Sequence, residues 1–389
     1  MEDEMRRYTI IFGAVCATAA LTLCACGTGD NAGAAPPPSY TDTQNILQRL
    51  TTVDGAPGVL LEVNDARGRT VLTSGVANIG TQAPMVGDSR FRIGSMTKMF
   101  VSTVVLQLVS EHRVVLDAPV EQYLPGVVRG NGNDGQVITV RQLLQHTSGV
   151  PDYLASLSQE EVLKNTLVHH DPLELVNLAL ADPSLFTPGT GWSYSNTNYL
   201  LAGMIIEKVT GRPYGVEIDQ RIIGPLGLRD TSVPGDQSSI PGVHPQGYVK
   251  PGDAAPIDLS EFNPSIAGAA GSMVSSAADL NQFLGALMNG RLLNPPELQE
   301  MMTTRPTGDT FNDDYGLGFQ STPLPCGGLY WGHDGGILGF ETLGATTTDG
   351  RTATMMVNLD PGQSAAQDAD IRAALATALC ASSPSKPKP

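Results

Sequence analysis

Hydrophobic and polar positions follow different periods in different parts of this chain. Gly58-Val59-Leu60-Leu61-Glu62-Val63 and residues 70–76 are β-branched, apolar runs. Asn64-Asp65-Ala66-Arg67-Gly68 lies between them and predicts a hairpin turn. Residues 41–52 carry a helical spacing, and residues 95–112 form a helix so rich in Val and Leu that it should be buried. From 116 to about 260 the pattern is helical with little strand signal. Helices are predicted over 139–146 (capped by Thr139, stopped by Gly149 and Pro151), 159–168, 172–180, 198–210 and 215–223. Strand-like runs return at 315–320, 329–332, 339–347 and 352–359, with Asp349-Gly350 as a hairpin turn. Ser276 caps a predicted helix over 277–289, and a last helix covers 365–381. Strands at both ends with helices between predict an α/β chain of the α+β type. An antiparallel sheet built from both chain ends would be flanked by helices, with a mostly helical subdomain (about 116–260) on one side and a cleft between them.

The N-terminus reads as a targeting segment. Arg6-Arg7 precede an apolar stretch over 9–23, which is short for a membrane span. The acidic residues before the arginines are unusual, and Met5 is a possible start. Leu23-Cys24-Ala25-Cys26 resembles a bacterial lipobox, which makes residues 1–25 a lipoprotein signal and Cys26 the lipidated residue. A plain secretory peptide or a signal anchor is the alternative. Residues 26–40 are Gly-, Ala- and Pro-rich and read as a flexible tether. The folded domain is placed at 41–381, and 382–389 reads as a disordered tail. The expected location is the extracytoplasmic face of the cell membrane. With Cys16, Cys24 and Cys26 accounted for, Cys326 and Cys380 remain; in an oxidising compartment they suggest one disulfide, with two free buried thiols as the alternative. A formal net charge of -16 argues against nucleic-acid binding. No sequence signature calls for a metal or a cofactor.

Three stretches carry candidate chemistry. Ser95 and Lys98 lie three residues apart where a glycine turn enters a helix, so they share a face. The lysine could take the proton of a serine nucleophile. Ser-x-x-Lys alone is weak, since the tail repeats it at Ser383 and Ser385, and an N-cap serine with a surface lysine is the bland alternative. Trp192-Ser193-Tyr194-Ser195-Asn196 offers a phenol and an amide on a loop. Trp331-Gly332-His333-Asp334-Gly335-Gly336 places a histidine beside glycines that let a substrate approach a strand edge. Taken singly, Tyr194 could be a core residue and His333 a turn residue. His146 reads as structural.

The order Ser-x-x-Lys, Tyr-x-Asn, His-x-Gly resembles the serine β-lactamase-related hydrolases: class C β-lactamases, D-alanyl-D-alanine carboxypeptidases of the same fold, and related esterases and D-amino-acid peptidases. Leu143-Leu144-Gln145-His146-Thr147-Ser148-Gly149, Pro225-Leu226-Gly227-Leu228 and Ala270-Gly271-Ser272 extend the likeness to about 45–380. The resemblance implies a β-lactamase/transpeptidase-like fold. It also implies Ser95 as nucleophile, Lys98 and Tyr194 as acid/base pair, and Asn196, His333, Asp334, Gly335 and Gly336 as substrate-binding residues. His333 would support Tyr194, and the backbone N–H groups of Ser95 and Gly336 would form an oxyanion hole. Asp334 stands where relatives usually have a carboxylate-binding threonine. If ionised and facing the cleft, it disfavours carboxylate-bearing substrates. The implied function is a lipid-anchored hydrolase of an ester or amide. A carboxypeptidase or β-lactamase is one alternative, and a non-catalytic envelope-binding protein is another.

Overall fold

The computed structural model of the chain describes residues 40–252, 254–309, 311–360 and 365–381. The expected signal segment, the tether up to Ser39 with Cys26, and the tail lie outside the described residues. Helix α1 (Thr41–Thr52) buries Leu47 and Leu50 and leads into the hairpin β1 (Gly58–Asp65) and β2 (Gly68–Asn78). Strands β3 (Ala83–Pro84) and β4 (Arg90–Arg92) follow. A 3-10 turn over Gly94–Met96 then enters α2 (Thr97–Ser110), which is buried on every side from Thr97 to Leu106, as its all-round apolar pattern requires.

The middle of the chain holds the short pairs β5 (Arg129–Gly130) with β6 (Asn133–Asp134) and β7 (Tyr248–Val249) with β8 (Ile257–Asp258). Helix α3 (Val140–Leu144) begins with a reciprocal Thr139/Gln142 capping box. Next come α4 (Gln159–Lys164), α5 (Pro172–Leu180), α6 (Asn196–Thr210), α7 (Tyr214–Ile218), a π turn and α8 (Gly224–Leu226). The helix expected over 159–168 stops at Lys164, because the Thr166 carbonyl accepts from the Asn263 N–H instead of from a later turn of helix. Helix α6 starts at Asn196, two residues before the expected boundary.

The remaining elements are α9 (Gly268–Gly271), β9 (Val274–Ser276), α10 (Ala277–Met288), α11 (Pro295–Met301), β10 (Arg305–Pro306), β11 (Asp314–Tyr315), β12 (Gln320–Pro323), β13 (Leu329–Ile337), β14 (Phe340–Thr347), β15 (Thr352–Val357) and α12 (Ala365–Ala381). The run 315–320 is not one strand. The Gly316 N–H bonds the Phe319 carbonyl and Gly318 has φ +71°, so the chain folds back into a β11–β12 hairpin.

Nine described strands form one antiparallel sheet in the order β10-β11-β12-β13-β14-β15-β1-β2-β3. The two chain ends meet where β1 pairs with β15, Val59 opposite Val357. Period-2 alternation sends Val59, Leu61 and Val63 to a core shared with α1 and α12, while Leu60 and Met356 face the core of α2 and α10. Phe100 and Phe283 stack between those last two helices, with ring centroids 3.8 Å apart. Cys326, in the loop before β13, and Cys380, in α12, are joined by a disulfide with Cα atoms 5.7 Å apart.

Candidate active site

Ser95 stands on a turn that only a glycine could precede. Gly94 has φ +51°, and a Cβ there would lie 2.8 Å from the Gly336 carbonyl oxygen. Gly335 is equally constrained: its Cβ would fall 2.2 Å from the Ile93 carbonyl oxygen. These two glycines let the turn before α2 press against β13. Strand β12 pairs with β13 only as far as Gly332, so the outer edge of β13 from His333 to Ile337 has no strand partner and runs past Ser95.

Lys98 is fully buried, and its Nζ donates to three oxygens: Ser95 Oγ at 2.9 Å, Asn196 Oδ1 at 2.7 Å and the Ala270 carbonyl at 2.8 Å. Burial lowers its pKa to about 7, against the opposing pull of Asp152 and Asp334. The Tyr194 hydroxyl donates to Ser95 Oγ at 2.7 Å from the other side. Burial, with Asp334 adding to it, raises the Tyr194 pKa well above the usual phenol value, so Tyr194 stays protonated at neutral pH. Asn196 is held in orientation because its Nδ2 donates to Asp152 Oδ2 at 2.8 Å.

His333 does not touch the Tyr194 hydroxyl. The rings are 6.3 Å apart, and His333 Nε2 accepts from the Tyr315 hydroxyl at 2.8 Å while Nδ1 faces Asp334, its carbonyl oxygen at 2.5 Å and its carboxylate at 3.3 Å. Strand alternation turns His333 to the face of β13 that carries Tyr194 and Tyr315 and Asp334 to the other; both His333 nitrogens are engaged elsewhere, and among the described residues no hydrogen bond joins His333 to Tyr194. Asp334 lines the cleft and pairs with Arg372 of α12 at 3.5 Å. Enclosure resists its charge, but the His333 bond and Arg372 together hold its carboxyl below the usual range. His146 is buried behind the site. Its Nδ1 accepts from the Ser195 N–H at 3.1 Å and the Asn198 amide at 3.2 Å, and its ring lies 4.3 Å from that of Tyr194. Burial pushes its pKa well down, which keeps it a neutral spacer.

Two cavities meet at Ser95 and Gly336. One, of about 300 Å³, has apolar walls from Leu154, Leu157, Val162, Phe262 and Ile337, with Asn196 and Asp360 as polar members. The other, of about 330 Å³, holds Tyr194, Trp192 and Asp309, Asp313 and Asp334 against the single guanidinium of Arg372. Asp152, Tyr315, Arg372 and Asp360 escaped the sequence reading because no local motif marks them, and the Ala270-Gly271-Ser272 stretch enters it without a role; each reaches the site only through the tertiary fold.

A sequence profile described as Beta-lactamase matches residues 43–378. The chain belongs to the beta-lactamase family. Its members here are serine β-lactamase-related hydrolases. The crystal structure of a D-stereospecific amidohydrolase from Streptomyces sp. is 44% identical, with a TM-score of 0.79 and coverage of 85% of this chain and 97% of that one. The D-amino acid amidase of Ochrobactrum anthropi SV3 is 29% identical with a TM-score of 0.78, covering 88% and 98%. Esterase EstB of Burkholderia gladioli is 29% identical over 66% of this chain and 75% of the esterase. Penicillin-binding protein 4* of Bacillus subtilis (strain 168) is 28% identical over 69% of this chain, but the match spans only 60% of that protein's length. The family's fold therefore extends over nearly all the described residues.

Proposed function

We propose that this chain is a serine hydrolase that forms an acyl-enzyme on Ser95, and that it acts on amides or esters with an apolar, D-configured acyl residue. The observation that carries the reading is the environment of Lys98. Asn196 Oδ1 and the Ala270 carbonyl can only accept. A neutral Lys98 therefore keeps its two N–H groups on those oxygens and turns its lone pair to the Ser95 hydroxyl. Ser95 gives its proton to Lys98 as Oγ attacks the acyl carbon, and the tetrahedral oxygen is held by the N–H groups of Ser95 and Gly336. Tyr194, on the second cavity, donates a proton to the departing amine or alkoxide. The phenolate left behind takes a proton from water as it attacks the acyl carbon, and the protonated Lys98 returns its proton to Ser95 Oγ as the ester bond breaks, so that all three groups end as they began.

The likeness to a D-stereospecific amidohydrolase and a D-amino acid amidase supports the amide and its configuration. The apolar walls of the first cavity support an apolar acyl side chain. The second cavity speaks against the carboxypeptidase and β-lactamase readings. Three carboxyl groups against one guanidinium, itself already paired to Asp313 and Asp334, repel a leaving group that carries a carboxylate. A neutral or cationic amine fits there.

The anchoring reading is part of the same proposal: export, with Cys26 lipidated at the extracytoplasmic face of the membrane. The sequence Leu23-Cys24-Ala25-Cys26 and the Cys326–Cys380 disulfide support it. Metabolic labelling with a fatty acid should mark the chain and fail to mark a Cys26→Ala variant.

The enzymatic reading is tested with D- and L-phenylalanine p-nitroanilide, a chromogenic short-chain ester and a labelled penicillin, each against Ser95→Ala. Turnover of the D-anilide and the ester, lost in the variant, is expected. Penicillin labelling with no anilide or ester turnover would favour the cell-wall alternative, and inertness of the folded protein toward all four would favour a binding protein.

A further inference from the structure

Asp360 follows β15, and its main chain is fixed on both sides. Its N–H donates to the Tyr248 carbonyl at 3.0 Å and its carbonyl accepts from the Gly339 N–H at 3.1 Å. Its carboxylate lies against Gly336; a Cβ built on that glycine would sit 3.1 Å from Asp360 Oδ1. This carboxyl group is half-buried, lines the apolar cavity, and has no hydrogen-bond or ion-pair partner among the described residues. Three other half-buried or buried carboxylates are matched: Glu217 bonds Arg212 and Arg221, Asp313 bonds Arg372, and Asp279 accepts from Thr231. Leaving a carboxylate unmatched in an enclosed place is costly. Glu341 and Asp368 lie near it and add to its need for a cation, and together with burial they hold its pKa well above the usual range.

We infer that Asp360 binds the protonated α-amino group of the substrate's acyl residue, so that the enzyme acts on aminoacyl amides with a free amino terminus and discriminates against N-acylated ones. The geometry follows from connectivity. In the proposed acyl-enzyme reading, on which this inference rests, the carbonyl oxygen sits between the N–H groups of Ser95 and Gly336. The α-nitrogen is two bonds from the carbonyl carbon, and Asp360 Oδ1 flanks that same Gly336. The side chain enters the apolar walls, and the ammonium meets the one carboxylate among them. Fixing three substituents of the α-carbon (carbonyl in the oxyanion site, side chain in the apolar cavity, nitrogen at Asp360) is also what a site needs to tell D from L. Asp360 is a specificity-determining residue in this account; it takes no part in the chemical step.

The test uses the full chain and compares D-phenylalanine p-nitroanilide with its N-acetyl derivative, in the wild type and in Asp360→Asn and Asp360→Glu. The wild type should favour the free amine in kcat/KM by about tenfold or more, the range of a charge-assisted bond. Asp360→Asn should collapse this ratio mainly through KM, and Asp360→Glu should restore part of it. Equal hydrolysis of both compounds by the wild type overturns the inference without recourse to any variant, as does a ratio that Asp360→Asn leaves intact. p-Nitrophenyl acetate, which has no α-nitrogen, separates the two levels of the argument. If it acylates Ser95 while the anilides show no amine preference, the inference fails and the acyl-enzyme reading stands. If it leaves Ser95 unmodified, that reading fails as well.

Discussion

Once neutral, Lys98 has two protons and three oxygen neighbours, and only the Ser95 oxygen can reverse its role and donate. This arithmetic makes Lys98 the base for acylation, while Tyr194, kept protonated by burial and Asp334, serves as the acid. A pH profile follows. With the Lys98 pKa lowered to about 7, kcat/KM for a neutral ester should rise with pH up to about 7 and level off above it. It should fall again only in the alkaline range where a phenol above its ordinary pKa ionises. A profile without a rise between pH 5.5 and 8 would contradict the assignment. The same shift has a sign for stability: the unfolded chain holds this proton up to about 10.5 and the folded chain only to about 7, so this group's contribution to stability improves as pH rises between the two. Replacing the base, Lys98→Met, should lower kcat by about 10²–10⁴-fold, read from turnover of the short-chain ester. Asp334→Thr should free Arg372 from one of its two carboxylates and improve substrates whose leaving group bears a carboxylate. Unchanged kcat/KM for D-alanyl-D-alanine peptides would sink that argument.

Elements bring these residues together, and at this scale sequence reading succeeded where the cue was local. Ser95 and Lys98 share a helix face and Tyr194 and Asn196 lie two apart at one loop, and spacing alone announces those two pairs; Gly335 and Gly336 lie on β13 because that strand runs to Ile337, past the end expected at 332. The run 315–320 resembles one strand because Tyr315, Leu317 and Phe319 alternate with a period of two, but the intervening Gly316 and Gly318 allow the chain to fold back into a hairpin. His333 stands beside Tyr194 as expected of its position, but the partner of its Nε2, Tyr315, comes from another strand that no local pattern links to it. Arg372 and Asp360 come from the last quarter of the chain and carry no motif at all. The contact of the α2 entry turn with β13 is testable through Gly94→Ala. The left-handed conformation and the clash with Gly336 should cost about 1–2 kcal/mol in stability and displace Ser95, so kcat should fall by more than the loss of folded protein explains. The disulfide closes a loop over a sequence separation of 54 residues. Chain entropy gives it about 4 kcal/mol, and reduction or Cys326→Ser should lower the denaturant midpoint and raise the m-value, because the unlinked unfolded chain exposes more surface.

At the scale of the whole molecule, the sheet closes by joining β1 to β15, and this closure places the Ser95 turn, from the first third of the chain, beside β13 from the last. The alternation of strand-rich ends and a helical middle was enough to predict that arrangement, because an antiparallel sheet made from both ends must carry the intervening helices to one side. The cleft lies at that junction. The formal charge of -16 and the carboxyl groups at both cavities give the cleft a field that attracts cations. For a cationic aminoacyl anilide, kcat/KM should decline as ionic strength is raised, by about twofold or more, while a neutral ester should show little change. Parallel behaviour of the two substrates would mean that the field plays no part in capture.

The most direct test of the central claim is mass spectrometry of the intact full-length chain quenched during turnover of a short-chain ester, followed by peptide mapping. The account predicts one acyl group, carried by Ser95, present in the wild type, slow to form in Lys98→Met and absent from Ser95→Ala. An adduct on another residue, or undiminished hydrolysis by Ser95→Ala, would contradict it.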